Sequence, residues 1–96
     1  MWIRITSFTP KPERMDDLRK TYREHFMPVI KSQPGNIAAH LLEPADGRSE
    51  FASLTLWESR ESAEAYDSAG TYGQLVDHIS QLFEGPPTLR SYEVKE

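Results

Sequence analysis

The sequence predicts an α+β fold of six elements in the order β-α-β-β-α-β, with a four-stranded antiparallel sheet. Four short stretches alternate apolar and polar residues with a period of two, as half-buried strands do. Two longer stretches repeat apolar residues every three or four positions, as amphipathic helices do. Short connections and right-handed crossovers then favour a ferredoxin-like sheet with both helices on one face. A chain of 96 residues suits one core, so we expect 1–96 to form a single domain.

The first strand and the first helix are predicted from the opening third of the chain. Residues 2–8 alternate, and Pro12 then opens a helix, because proline in the first turn loses no intrahelical hydrogen bond. This helix is predicted over 13–31, with a bend at Pro28. Its apolar stripe consists of Met15, Leu18, Tyr22, Phe26, Val29 and Ile30.

The middle of the chain predicts a β-hairpin with strands over 36–43 and 50–58, joined by a turn that contains Asp-Gly. If the facing ends of these strands pair directly, His40 lies opposite Ser53. Facing residues share a face of the sheet, so His40 would join Ser53, Thr55 and Trp57. A slip of one residue would put His40 on the other face. The same pairing groups Ile37, Ala39 and Leu41 with Ala52, Leu54 and Leu56.

The last third predicts an interrupted helix and a final strand. Ser59 takes the N-cap position of a helix that begins at Arg60. Gly70 interrupts it, and a second helical segment runs as far as Phe83. Residues 88–94 form the fourth strand, which we expect at a sheet edge because of its charges. The stripe of the second segment consists of Tyr72, Leu75, Val76, Ile79, Leu82 and Phe83.

The sheet is predicted to be apolar on both faces. Helices on one side can cover only one of these faces, and the other is too large an apolar patch to leave in water. This other face is predicted to carry Ile3, Ile5, Ile37, Ala39, Leu41, Ala52, Leu54 and Leu56. A second copy that packs face to face would cover it. We therefore expect a homodimeric α/β barrel.

The composition excludes several classes of function. The 11 basic and 15 acidic residues are scattered and give a net charge of −4, so binding to nucleic acid or to an anionic membrane is not expected. Cysteine is absent, the three histidines lack metal-ligand spacing, and neither a phosphate loop nor a serine-nucleophile elbow is present. No apolar stretch is long enough to span a bilayer, and we expect a cytoplasmic protein.

Several motifs carry a resemblance to a known family over nearly the whole chain. They are Pro34-Gly35 before the second strand, Trp57-Glu58-Ser59, Glu61, Ala65-Tyr66, Ser68 and Tyr72. With the predicted fold, they resemble the antibiotic biosynthesis monooxygenase domain family of dimeric α/β-barrel proteins. That family includes cofactor-free oxygenases of quinols and polycyclic phenols, heme-degrading enzymes and members with no known reaction.

The resemblance also implies site residues. Trp57 matches the tryptophan that lines the family's pocket between sheet and helices, and Ser53 stands where some oxygenases have a substrate-binding asparagine. The heme-degrading branch has an asparagine on strand one and a histidine on the helix after strand three. Thr6 or Ser7 and Tyr66 or Asp67 stand at those places, so heme degradation by that route is not expected.

A cofactor-free oxygenase must deprotonate an electron-rich phenol or hydroquinone in a dry pocket and hold the resulting oxyanion. His40 is the candidate base, because it titrates near neutral pH; the alternative is a core histidine bonded to Ser53. Arg4 is a candidate donor, unless it pairs with a helix acid. The full predicted substrate-binding set is Trp57, Ser53, Thr55, Arg4, Tyr22, Phe26, Tyr66 and Tyr72.

Three functions follow from these residues. The first is a monooxygenase that acts on an aromatic or quinol-like molecule without metal, flavin or other cofactor. The second is a non-catalytic module that binds a hydrophobic metabolite in the same pocket. The third is heme binding or breakdown.

Overall fold

The computed structural model describes residues 1–96 and confirms the α+β fold with a four-stranded antiparallel sheet. The strand order is β2-β3-β1-β4, so β1 and β3 are central and β4 lies at an edge, as predicted. Helices pack on one face of this sheet. The structure contains no helix with the length and hydrophobicity of a membrane span. The strands are β1 (Trp2–Phe8), β2 (Asn36–Leu42), β3 (Phe51–Trp57) and β4 (Thr88–Glu93).

The helical segment before β2 is continuous but irregular. It consists of a 3-10 turn (Pro12–Arg14), α1 (Met15–Thr21), a π-helical turn (Tyr22–Phe26) and α2 (Met27–Lys31). The sequence predicts a bend at Pro28, whereas the irregularity lies in the turn that precedes it. Proline lacks an N–H group and its ring crowds the carbonyl four residues earlier, and a π turn widens the backbone at that point.

The pairing of β2 with β3 differs by one residue from the predicted register. Asn36 lies opposite Trp57 as predicted, but the ladder shifts at Ile37, which forms a β-bulge. His40 consequently lies opposite Leu54 and not opposite Ser53. The predicted placement of His40 is therefore wrong, because the extra residue in the bulge moves it to the sheet face that points away from the helices.

The bulge is fixed by a side-chain amide and redistributes the apolar residues of β2. Nδ2 of Asn36 donates to the carbonyl oxygens of Ala38 at 3.2 Å and Leu56 at 3.3 Å. Ala39 and Leu41, which the predicted register places on the outer face, instead lie opposite Thr55 and Ser53 on the helix side. Ala39 is buried there.

The core lies between the helices and the inner face of the sheet, by which we mean the face toward the helices. Leu18, Tyr22 and Ile30 of the first helical segment pack there against residues of β1 and β3. The opposite, outer face has no helix over it and is largely apolar. Ile3, Ile5, Ala38, Ala52, Leu54, Leu56 and Tyr92 share this outer face by their strand pairings.

Helix α3 (Arg60–Ser68) begins where the sequence predicts, and α4 (Thr71–Ile79) follows it after Gly70. Oγ of Ser59 accepts a hydrogen bond from the backbone N–H of Ser62 at 3.2 Å, which caps α3. The first turn of α3 also packs against the start of β2. Gly35, at φ +82°, lies against Ser62, and its carbonyl oxygen accepts from the N–H of Glu58 at 2.8 Å.

We expect Gly35→Ala to lower the free energy of unfolding by about 2 to 4 kcal/mol, measured by urea denaturation. A Cβ at this position would lie 2.2 Å from Oγ and 2.5 Å from Cβ of Ser62, and the backbone has a left-handed conformation. Gly47→Ala is the matched control, because Gly47 has φ +84° but open space around it. Its cost is expected to be only the conformational part, about 1 to 2 kcal/mol. Equal losses for the two variants would contradict the close packing at Gly35.

Candidate functional site

A cavity of about 40 Å³ lies between the inner face of the sheet and the helices. We call it the chamber. The structure brings seven of the eight predicted substrate-binding residues to its wall: Arg4, Tyr22, Phe26, Ser53, Thr55, Tyr66 and Tyr72. The wall also contains Thr6, Phe8, Ile30, Leu75, Val76, Ile79 and Phe83. Most of these belong to the predicted apolar stripes, but a stripe position does not distinguish a cavity wall from solid core.

Trp57 supports the chamber from behind and does not line it. Its side chain is fully buried on the helix side of the sheet, and its ring stacks on Tyr66 with centroids 5.1 Å apart. The indole Nε1–H donates to Oγ1 of Thr55 at 2.9 Å. The tryptophan therefore holds two wall residues in place, one on β3 and one on α3.

None of the three histidines lies in the chamber. His40 is exposed on the outer face of the sheet, opposite Leu54. His25 and His78 are exposed on the helices, with ring centroids 6.2 Å apart. Because His40 lies across the sheet from the chamber, neither the predicted catalytic position nor the alternative hydrogen bond to Ser53 is present.

Arg4 is the charged group of the chamber wall. It lies in the middle of β1 opposite Thr55, and only 3% of its surface is exposed. Nη1 donates to Oδ1 of Asp67 at 2.5 Å and to the carbonyl oxygen of Ala63 at 3.3 Å, both on α3. Arg4 thus pairs with a helix acid, as one of the two interpretations predicts, and also borders the chamber.

The guanidinium group of Arg4 lies against two aromatic rings. Its Cζ is 4.7 Å from the ring centroid of Tyr72 and 5.7 Å from that of Tyr66, within the range of cation–π attraction. Nη2 of Arg4 is buried and has no hydrogen-bond acceptor. Such unpaired buried donors are uncommon in folded proteins.

Hydroxyl groups connect the helices with the sheet across the chamber. The hydroxyls of Tyr22 and Ser53 are 2.8 Å apart, and those of Tyr72 and Thr6 are 3.5 Å apart. Burial raises the pKa of Tyr22, against the opposing effect of its hydrogen bond to Ser53. Burial also raises the pKa of Tyr66, against the opposing charge of Arg4. These two phenols are therefore neutral at physiological pH, and the hydroxyl of Tyr22 is hydrogen-bonded to Ser53.

The arrangement combines a mostly apolar wall with a few donors on its sheet side. Arg4 supplies positive charge, and the hydroxyls of Ser53 and Thr55 lie on the neighbouring strand. Apolar side chains exclude water and strengthen electrostatic interactions inside. The wall can therefore offer hydrogen-bond donors to an oxygen atom on the sheet side and apolar contacts on the helix side.

Comparisons with known proteins agree with this fold. The family model described as antibiotic biosynthesis monooxygenase matches residues 1–78. No curated protein matches the sequence significantly.

Three solved structures illustrate the likeness. A Deinococcus radiodurans protein assigned to that family is 16% identical and has a TM-score of 0.84, with 100% of this chain and 94% of that chain covered. A Nitrosomonas europaea protein with the same assignment is 19% identical, with a TM-score of 0.81 and 98% of each chain covered. The heme-degrader MhuD from Mycobacterium tuberculosis, with two hemes bound in its active site, is 22% identical, with a TM-score of 0.80 and 98% and 95% covered. At these identities the likeness shows a shared fold.

We expect Thr55→Val to lower the free energy of unfolding by about 1 to 3 kcal/mol, because the buried indole N–H of Trp57 then loses its acceptor. Urea denaturation followed by circular dichroism measures the change. Thr6→Val is the matched control, since the hydroxyl of Thr6 has only the long 3.5 Å contact with Tyr72. Its effect is expected to stay within about 0.5 kcal/mol. An unchanged stability of Thr55→Val would show that the indole hydrogen bond does not hold the wall.

Proposed function

This chain belongs to the antibiotic biosynthesis monooxygenase family, and we propose on that basis that it is a cofactor-independent monooxygenase. Its substrate is an aromatic, quinol-like or polycyclic phenol that binds between the sheet and the helices. The observation that carries the proposal is the buried guanidinium of Arg4 in a mostly apolar wall. A fixed positive charge in such surroundings stabilises the oxyanion that must form before dioxygen reacts.

The reaction balances without an external reductant. Loss of the phenolic proton gives an electron-rich anion, which donates electrons to dioxygen and forms a carbon–oxygen bond at the ring. Cleavage of the resulting peroxide releases one oxygen atom as water and leaves the other in the ring as a carbonyl. A hydroquinone and dioxygen thus give a hydroxyquinone and water, and the substrate supplies all the electrons.

The substrate requires the chamber to widen. A cavity of about 40 Å³ holds little more than a few water molecules, whereas pockets for drug-sized ligands have volumes of about 300 to 1,000 Å³. We expect the helices to move outward, because the opposite wall consists of the hydrogen-bonded central strands β1 and β3. Several wall residues lie on one short helix, α4: Tyr72, Leu75, Val76 and Ile79.

Heme does not fit the residues of this chamber. Protein ligands to heme iron are mainly histidine, cysteine, methionine or tyrosine. The histidines lie outside, and the three tyrosines in the wall are engaged: Tyr22 with Ser53, Tyr66 in the stack on Trp57, and Tyr72 over the guanidinium group of Arg4. We therefore propose no heme chemistry for this chain.

A non-catalytic module that binds a hydrophobic metabolite is the second candidate. It is favoured by the nature of the ionisable groups in the wall, which are one arginine and three tyrosines: Arg4, Tyr22, Tyr66 and Tyr72. A general base works best when its pKa is near the operating pH. Burial moves the pKa of Tyr22 and Tyr66 away from that range, so proton removal must rely on the acidity of the ligand.

The protein is proposed to act as a homodimer in which two sheets pack through their outer faces. Leu54 and Leu56 of central strand β3 lie on this face beside Ile3 and Ile5 of β1. No helix of the same chain covers them, and apolar patches of this kind usually mark an interface. Tyr92 on β4, which is 48% exposed, extends the patch to the sheet edge.

The monooxygenase proposal predicts oxygen uptake when the protein is mixed with hydroquinones and naphthols in an oxygen-electrode cell. Arg4→Met should lower kcat/KM by about 100-fold, because the oxyanion loses a buried cationic donor. Arg48→Met is the matched control, since the side chain of Arg48 is 73% exposed in the β2–β3 connection, and it should behave as wild type. A ligand that binds without oxygen uptake would support the binding module instead.

The dimer proposal predicts twice the monomer mass by light scattering at micromolar concentration. Leu54→Asp should yield monomers, because a charge in the centre of an apolar interface is costly to desolvate. Leu89→Asp is the control on the other side of the sheet, where Leu89 is 40% exposed on β4 opposite Thr6. A monomeric wild type would contradict the proposed assembly.

A further inference from the structure

We infer that the chamber takes its ligand as an aromatic carboxylate, whose oxygen accepts a hydrogen bond from Nη2 of Arg4. The inference rests on the proposed function, because it narrows the class of aromatic molecule that the same chamber accepts.

The hydrogen bonding of Arg4 is incomplete. Nη1 has two acceptors on α3, the carboxylate of Asp67 and the carbonyl of Ala63. Nη2 is buried, and no protein atom accepts from it. Buried donors in native proteins are nearly always paired, so an unpaired cationic donor beside a cavity marks the position of a ligand acceptor. The planar guanidinium matches the geometry of carboxylate oxygens.

The charge balance also favours an anion. Asp67, which pairs with Arg4, has a side chain that is 43% exposed, whereas the side chain of Arg4 is 4% exposed. Water therefore screens the carboxylate far better than it screens the guanidinium. The remaining ionisable side chains of the wall are tyrosines, and burial favours the neutral form of Tyr22 and of Tyr66. A ligand inside the chamber consequently meets a positive potential.

Access to Nη2 is linked to widening of the chamber. The ring of Tyr72, in the first turn of α4, covers the guanidinium at 4.7 Å. The same helix supplies Leu75, Val76 and Ile79 to the chamber wall. An outward shift of α4 that makes room for an aromatic ring therefore also takes Tyr72 off Arg4. Space for the ligand and its anchoring donor become available together.

Calorimetric titration with matched pairs of probes tests the inference. The probes are benzoate, naphthoate and hydroxynaphthoate, each compared with its own carboxamide, which has the same ring and no charge. The wild-type protein should bind at least one carboxylate at least about tenfold more tightly than its amide. Arg4→Met should lose this preference, and Arg48→Met should keep it.

Asp67→Asn should strengthen the preference for carboxylates, whereas Arg4→Met should abolish it. The variant removes the competing negative charge but keeps the shape of the side chain, so carboxylate binding should become several-fold tighter while amide binding stays the same. A merely structural role of the Arg4–Asp67 pair would not tighten binding. Because Asp67 is partly exposed, this variant should fold. It therefore tests whether the chamber binds an anion at Arg4 even if Arg4→Met does not fold.

Two results would overturn the inference. One is equal affinity of the wild type for carboxylates and amides, which would leave the proposed reaction intact for neutral phenols. The other is no binding of either series. The proposed reaction would still be judged separately, by oxygen uptake with hydroquinones.

Discussion

The in-register pairing of β1 with β3 is the constraint on which the rest of the structure depends. Seven consecutive residue pairs join these two central strands, from Trp2 with Trp57 to Phe8 with Phe51. Because side chains alternate along each strand, this pairing assigns Arg4, Ser53 and Thr55 to the helix side. It assigns the aliphatic residues between them to the outer face. The chamber and the proposed dimer surface are thus opposite faces of one ladder.

The polar character of the chamber follows from the same ladder. Arg4 and Thr55 lie directly opposite each other, and Trp57 secures the threonine from the next inward-facing position on β3. The helices contribute tyrosines to the chamber. The hydroxyls of Tyr22 and Tyr72 contact the sheet, and the rings form part of the apolar wall. Arg4 is bound to α3 by Asp67 and covered by α4 through Tyr72. A single buried charge therefore contacts the sheet and both later helices.

Most of the fold was predictable because the local signals agree with one another. The period-two alternation of β1 and β3, the serine cap of α3 and the glycine before α4 each specify one local structure. The register of β2 was not predictable, because Ile37 to Leu42 contain apolar residues in both phases of the alternation. Hydrophobic patterning then cannot choose between neighbouring registers. Asn36, whose amide fixes the bulge, decides it through hydrogen bonds that the sequence does not reveal. The predicted placement of His40 beside Ser53 is wrong for this reason.

The bulge at Ile37 also determines which change in the length of β2 the fold can tolerate during evolution. Asn36 lies opposite Trp57 and Ala38 opposite Leu56, so Ile37 has no partner in β3. Loss of this one codon would turn the bulge into regular sheet and leave every downstream pair, including that of His40, where it is now. Relatives that differ by one residue at this place can therefore keep the same inward-facing side chains, and an alignment that ignores the gap would match the wrong positions.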